Sequence, residues 1–215
     1  MLPVKICCIQ DREEAAMAIA HGARSLGLVS QMPTGWGPID EVRIGHIAAS
    51  IPPMVDSVLL SSKRTAAEII EQLRITACNS VQIVDAFPAS GYAEIRQVYP
   101  GVRIFQAVHV TGMETLSKAQ ELAPLVDCLI LDTGGPNGQL GGTGLTHDWN
   151  ISAEIVRQVE VPVLLAGGLK PHNVVQAIET VRPYGLDLCT GVRSGEKYAL
   201  DAVKLKAFMD AVASV

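Results

Sequence analysis

Residues 161–181 read VPVLLAGGLKPHNVVQAIETV. The first six, Val161–Ala166, form a short apolar run of the kind that fills a strand buried on both faces. Gly167 and Gly168 end the run. Pro171 suits the opening of a helix, where its missing N–H is not needed, and residues 172–181 carry a helical pattern. This is one strand–helix unit, and the chain repeats it. Strands are expected at Val4–Ile9, Leu26–Val29, Val55–Leu60, Val81–Asp85, Arg103–His109, Cys128–Asp132, Val161–Ala166 and Leu186–Thr190. Helices are expected near 12–25, 40–50, 64–74, 90–98, 113–123, 152–159, 172–181 and 200–213. Asp11 before Arg12-Glu13-Glu14, and Ser152 before Glu154, read as helix caps. Strict alternation implies a parallel sheet. Eight units in 215 residues, about 27 each, fit a closed barrel better than an open doubly wound sheet, which is the alternative. The expected fold class is α/β, with residues 1–215 forming one (β/α)8 barrel domain.

Composition narrows the function classes. Hydrophobic residues make up 48% of the chain and charged residues 18%, against disorder, and the 4% aromatic content makes the core aliphatic. A net charge of −5 without a basic patch gives no footprint for nucleic acid. No apolar stretch is long enough to span a membrane, and the amino terminus lacks the layout of a signal peptide. A cytoplasmic protein, monomer or homodimer, acting on a small molecule is expected. The cysteines at 7, 8, 78, 128 and 189 are odd in number and scattered, unlike a disulfide framework. A bridge between the neighbours Cys7 and Cys8 would strain the peptide joining them. Cys78, Cys128 and Cys189 lie in apolar contexts and read as small buried hydrophobes. His46, His147 and His172 show no ligand spacing, so no metal site is expected.

In barrels of this kind the chemistry lies at the carboxyl ends of the strands. The residues to read there are Cys7, Ser30, Ser61, Asp85, His109, Asp132, Gly167 and Thr190. The last three units leave the sheet through glycine: Gly141-Gly142-Thr143-Gly144, then Gly167-Gly168, then Thr190-Gly191 with Ser194-Gly195 beyond. Glycine lets backbone N–H groups approach an anion, and barrels often hold phosphate after strands seven and eight. Gly142, Gly144, Gly167, Gly168, Thr190 and Gly191 are therefore candidate phosphate ligands; the other reading is that the glycines only shape tight turns.

Asp132 closes an apolar strand, where a carboxylate is costly unless paired or functional; capping the next loop is its other reading. By period-two alternation it shares a face with Cys128 and Ile130. On the first strand Lys5 and Cys7 share a face, and a nearby ammonium lowers a thiol pKa, as does the amino end of the helix beginning near Asp11. Cys7 is thus a candidate base, or else a buried structural cysteine. His109 is a polar lining residue or a catalytic one.

These residues together resemble the phosphoribosylanthranilate isomerase family, (β/α)8 enzymes of tryptophan biosynthesis. The resemblance rests on Lys5-Ile6-Cys7, Val81-Gln82, Leu131-Asp132-Thr133, and Gly141-Gly142-Thr143-Gly144 with Asp148-Trp149. Leu165-Ala166-Gly167-Gly168-Leu169 with Asn173-Val174, and Thr190-Gly191-Val192 with Gly195, extend it along the whole chain. It implies an Amadori rearrangement of an N-substituted phosphoribosylamine to the aminoketose phosphate, with Asp132 as acid, Cys7 as base and no cofactor. Four positions depart from the family pattern. Cys8 stands where a glycine is usual. The segment Ser30–Pro38 lacks the arginine that meets the anthranilate carboxylate. Asp85 follows Gln82-Ile83-Val84 where a Gln-Leu-His-Gly pattern is usual, and Arg193 replaces a glutamate, with Thr190 in place of serine. Arg193 is the first candidate to replace the lost arginine, to hold phosphate instead, or to face solvent. Trp36 either stacks on an aromatic ring or anchors its loop. Asp85 either charges the mouth or starts a turn. Lys5, Gln82, Trp36, His109 and Arg193 form the candidate substrate-binding set. The rivals are a paralogue acting on another phosphorylated aminosugar or aldose, and a non-catalytic phosphate-ligand binding protein.

Overall fold

The computed structural model describes residues 2–33, 37–134, 144–195 and 198–215. Eight parallel strands close into a barrel in sequence order: β1 (Val4–Ile6), β2 (Ser25–Val29), β3 (Asp56–Ser61), β4 (Ser80–Ile83), β5 (Arg103–Val110), β6 (Cys128–Thr133), β7 (Val163–Leu165) and β8 (Gly185–Leu188). Helices α1 (Arg12–Ala20), α2 (Glu41–Ala48), α3 (Ala66–Thr76), α4 (Ala89–Val98), α5 (Thr115–Leu122), α6 (Trp149–Gln158), α7 (Val174–Val181) and α8 (Ala202–Ala213) follow the strands in turn. An antiparallel pair, β9 (Arg193–Ser194) and β10 (Ala199–Leu200), precedes α8. The expected barrel is what forms, and the doubly wound alternative falls. No helix among the described residues is long and apolar enough to cross a membrane.

Alternation along each strand sorts the apolar side chains into two sets. Ile6, Leu28, Leu59, Val81, Leu129, Leu131 and Leu186 pack outward in the large core under the helices. Cys7, Val29, Val58, Leu60, Phe105, Cys128, Ile130 and Leu164 form the smaller set that fills the barrel. The seam closes with β1 beside β8, Lys5 opposite Asp187 in the ladder.

The caps follow local chemistry. Asp11 accepts from Glu14 N at 2.8 Å, as its position before three helix-forming residues predicts. The expected cap at Ser152 is corrected: α6 starts earlier, with Asp148 accepting from Asn150 N at 2.9 Å. Ser152 is buried inside α6 and bonded to His147 instead. The eighth strand also ends sooner than expected, at Leu188, and Thr190–Val192 form a 3-10 turn.

Candidate active site

Three glycine-bearing loops converge at the carboxyl end of β6–β8. An ideal Cβ on Gly191 would lie 2.0 Å from the carbonyl oxygen of Leu169, so only glycine lets the loop after β8 touch the loop after β7. Gly168 approaches the Leu145 carbonyl in the same way, Gly167 lies against Thr133, and Gly144 lies near Thr190. The close packing belongs to the turn-shaping role of these glycines and also brings their backbone to one rim. Gly142 and Trp36 lie outside the described residues.

Inside the wall, Lys5, Cys7, Gln82, His109, Asp132 and Asp187 alternate with outward-packed neighbours, so all six point into the barrel. Lys5 is fully buried and its Nζ lies 2.9 Å from Asp187 Oδ1. Burial alone would lower the Lys5 pKa, but Asp187 and the thiol of Cys7 outweigh it and hold the ammonium charged. Gly27 on β2 makes room for both groups: an ideal Cβ there would lie 2.8 Å from Cys7 Sγ and 3.1 Å from Lys5 Nζ.

Cys7 is pulled below the usual thiol range. The main cause is a hydrogen bond from Cys8; burial opposes it, and Lys5 adds to it. The expected effect of Lys5 is present, second to a neighbour the sequence offered only as an oddity. The Sγ atoms of Cys7 and Cys8 are 3.9 Å apart, and neither is in a disulfide.

Asp132 sits half-buried at the end of β6, opposite His109 in the ladder. Burial pushes its pKa up to about 6 and Asp187 adds to that, while the bond from Thr133 N, His109 and Lys5 pull the other way. The Lys5–Asp187 pair therefore acts on Cys7 and Asp132 alike. Gln82 is buried with no hydrogen-bond partner for Oε1, and neither ring nitrogen of His109 has one among the described residues.

Other candidates turn away. Arg193 is corrected outright: its side chain is buried behind β1, bonded to Glu14 Oε1 at 3.0 Å and to the carbonyls of Cys7, Cys8 and Tyr198. A guanidinium held by those partners fastens the turn after β1. Ser30 and Ser61 point outward, joined through Gln72 and Glu41 in a clamp between the ends of β2 and β3 and helices α2 and α3. Asp85 stays on the rim, bonded to Arg64 Nη2 at 2.7 Å. Of the remaining cysteines, Cys78 and Cys128 are buried as expected and Cys189 is only half-buried.

Sequence reasoning missed two residues. Asp187 is a charge in an apolar strand, and pairing the first strand with the last would have set it beside Lys5. His147 bridges Thr133 Oγ1 at 3.0 Å and Ser152 Oγ at 2.6 Å, and burial lowers its pKa to about 4. No spacing rule marks such a bridge.

Comparison with known proteins agrees with this geometry. The family model described as N-(5'phosphoribosyl)anthranilate (PRA) isomerase matches residues 54–211. The chain is 35% identical over 212 residues to the N-(5'-phosphoribosyl)anthranilate isomerase of Methanocella arvoryzae, covering 99% of this chain and 98% of that one. It is 35% identical over 206 residues to that of Haloferax volcanii, covering 95% and 90%. The crystal structure of phosphoribosyl anthranilate isomerase from Thermotoga maritima superimposes with a TM-score of 0.87 at 26% identity, over 100% of both chains. With a family model matched over most of its length and relatives matched end to end, the chain belongs to the N-(5'-phosphoribosyl)anthranilate isomerase family.

Proposed function

We propose that this enzyme isomerises N-(5'-phosphoribosyl)anthranilate to the aminoketose phosphate by an Amadori rearrangement, with Asp132 as general acid and Cys7 as general base. The observation that carries the roles is the shared interior face: Cys7 and Asp132 both open into the barrel above the Lys5–Asp187 pair. Asp132, its carboxyl raised to about 6, holds a proton far more often near neutrality than an ordinary aspartate does. It gives that proton to the furanose ring oxygen; the ring C–O bond opens and the substrate nitrogen takes the iminium charge. The Cys7 thiolate removes the C2 proton, leaving an enolamine that tautomerises to the ketone. Each transfer contributes roughly 10²–10⁴-fold.

The substrate's phosphate is assigned to the converging loops with Gly144, Gly167, Gly168, Thr190 and Gly191. Lys5, fully buried, acts on the acid–base pair and not on substrate. Gln82 Oε1 and the ring of His109, which have spare hydrogen-bonding capacity, are the polar lining for the sugar. With Arg193 closed off, Arg64 is the cation assigned to the anthranilate carboxylate. It stands on the loop after β3, whose Ser62 Oγ donates to the Gln31 carbonyl of the loop after β2 at 3.1 Å. Its partner Asp85 is on the same rim.

The test follows loss of phosphoribosylanthranilate fluorescence with wild type, Cys7→Ala and Asp132→Asn. Turnover by wild type that both substitutions abolish is expected. Full turnover in either variant would remove that residue from the chemistry.

A further inference from the structure

Cys8 is buried and has a φ of 64°, in the left-handed region that disfavours a side chain. Several groups hold it there. Arg193 Nη2 donates to the Cys8 carbonyl at 2.6 Å and to the Cys7 carbonyl at 3.1 Å. Gln10 Nε2 donates to the Cys8 carbonyl at 3.1 Å and to the Gly37 carbonyl at 2.8 Å. An ideal Cβ on Gly37 would lie 2.9 Å from Cys8 Cβ, so the loop after β2 closes over the residue. A fastened turn of this kind needs no thiol; glycine would meet its backbone demand with less strain. What the thiol adds is contact with neighbouring sulfur atoms, among them Cys7 Sγ at 3.9 Å and the thiol of Cys189.

We propose that Cys8 is a positioning residue for Cys7: its S–H donates to Cys7 Sγ, favouring the thiolate and holding it over the barrel. This rests on the reading of Cys7 as the base. Among the described residues the groups facing Cys7 are few. Lys5 lies below it on β1, Asp187 on β8 with Cys189 just past that strand, and β2 offers only Gly27. Of these, the bond with Cys8 pulls the thiol down most; Lys5 assists and Asp187 opposes. Cys8 itself is pushed well above the usual range by its bonds with Cys189 and Cys7 and by burial, so it keeps the proton that it donates.

The test is a pH titration of ultraviolet thiolate absorbance on the whole protein, with Cys7→Ala as the blank that isolates Cys7. Cys8→Gly suits the left-handed backbone and is expected to fold with a higher Tm than wild type. Its Cys7 midpoint is expected to rise by about one pH unit, the order of shift one hydrogen bond to a charged group gives. Cys8→Ser, which keeps a donor, is expected to restore part of that shift. Midpoints equal to wild type in both variants would overturn the proposal. So would a rise in Cys8→Ser as large as in Cys8→Gly. Cys7→Ala separates this from the reading beneath it: turnover without Cys7 would remove the base, while the titration still reports whether Cys8 governs its thiol.

Discussion

The two sides of the barrel wall treat polar groups differently at the carboxyl ends of the strands. Behind the wall, polar side chains are bonded to one another and to the backbone: Glu14 with Arg193, Ser30 and Ser61 with Gln72 and Glu41, Thr133 with His147 and Ser152. Inside it, among the described residues, the Lys5–Asp187 ion pair is closed, and above it Gln82 and His109 keep hydrogen-bonding atoms without partners. Burial does not separate the two sets, because each contains a buried salt bridge beside Cys7. What sets the inner set apart is that its unused capacity is gathered in one place: outside the barrel, Thr76 Oγ1 and Trp149 Nε1 also lack partners among the described residues, but they stand on separate helices. A buried polar atom left open is costly, and a fold keeps several together where a ligand will meet them.

The largest effect should fall inside. Asp132→Asn removes a transferable proton and keeps the shape, so kcat is expected to drop roughly 10²–10⁴-fold while the protein stays folded. His147→Gln, one bond from Thr133 on the other face, is expected to keep kcat within about tenfold. Steady-state turnover of both, with circular dichroism as the folding check, decides it. A collapse of kcat in folded His147→Gln would break the distinction between the faces.

Next come the two salt bridges. Lys5→Met strands Asp187 and is expected to cost about 3–5 kcal/mol in denaturant unfolding; Arg193→Met takes the cation from Glu14 but leaves it the bonds from Gln10 N at 3.0 Å and Leu200 N at 2.8 Å, so its cost should be smaller. They should part in activity. Lys5→Met also removes the charge that acts on Cys7 and Asp132, so its folded fraction should lose most of its turnover. Arg193→Met should lose little beyond what the loosened Cys7–Cys8 turn imposes. Equal losses of activity per folded molecule would mean that Arg193 belongs to the site after all.

This contrast also marks how far the sequence is legible. The barrel is written in the alternation of apolar runs and amphipathic stretches, and all eight strands lie where that pattern puts them. Strand ends are less visible. Cys7–Ile9 continue the apolar run of β1, yet the chain leaves the ladder at Ile6 and turns left-handed at Cys8. Hydropathy does not record where pairing stops. The same alternation aims Lys5, Cys7, Gln82, His109 and Asp132 inward without further information. Arg193 is a different case: a charge on a glycine-rich loop looks solvent-facing until α1 delivers Glu14 beneath it, and that contact joins residues 179 apart in the chain. Asp187 also needed long-range information, the closure of β8 on β1.

A smaller effect belongs to the rim. Arg64 is largely exposed and shares its charge with Asp85. Arg64→Met is therefore expected to raise KM about tenfold with kcat nearly unchanged, the pattern of an interaction made equally in ground and transition states. Adding anthranilate as a competitor should show the same weakening in its inhibition constant. An unchanged KM would take Arg64 out of the substrate site.

The smallest effect lies in the pH dependence of stability, where the two faces of β6 oppose each other. The carboxyl of Asp132 is raised from 3.8 to about 6, so its contribution is full below 3.8 and is lost as pH rises through about 6. The imidazole of His147 is lowered from 6.5 to about 4, so its contribution is present above 6.5 and is lost as pH falls through about 4. Between about 4 and about 6 the two slopes run in opposite directions and largely cancel in the wild type. Each substitution should uncover the other group. The Tm difference between Asp132→Asn and wild type should grow more positive as pH rises across that window, because the falling contribution is gone. The difference for His147→Gln should grow more negative across the same window, because the rising contribution is gone. Differences of the same sign in both variants would mean that the environments on the two faces of β6 are not opposed, and that the wall divides hydrogen bonds without dividing charge.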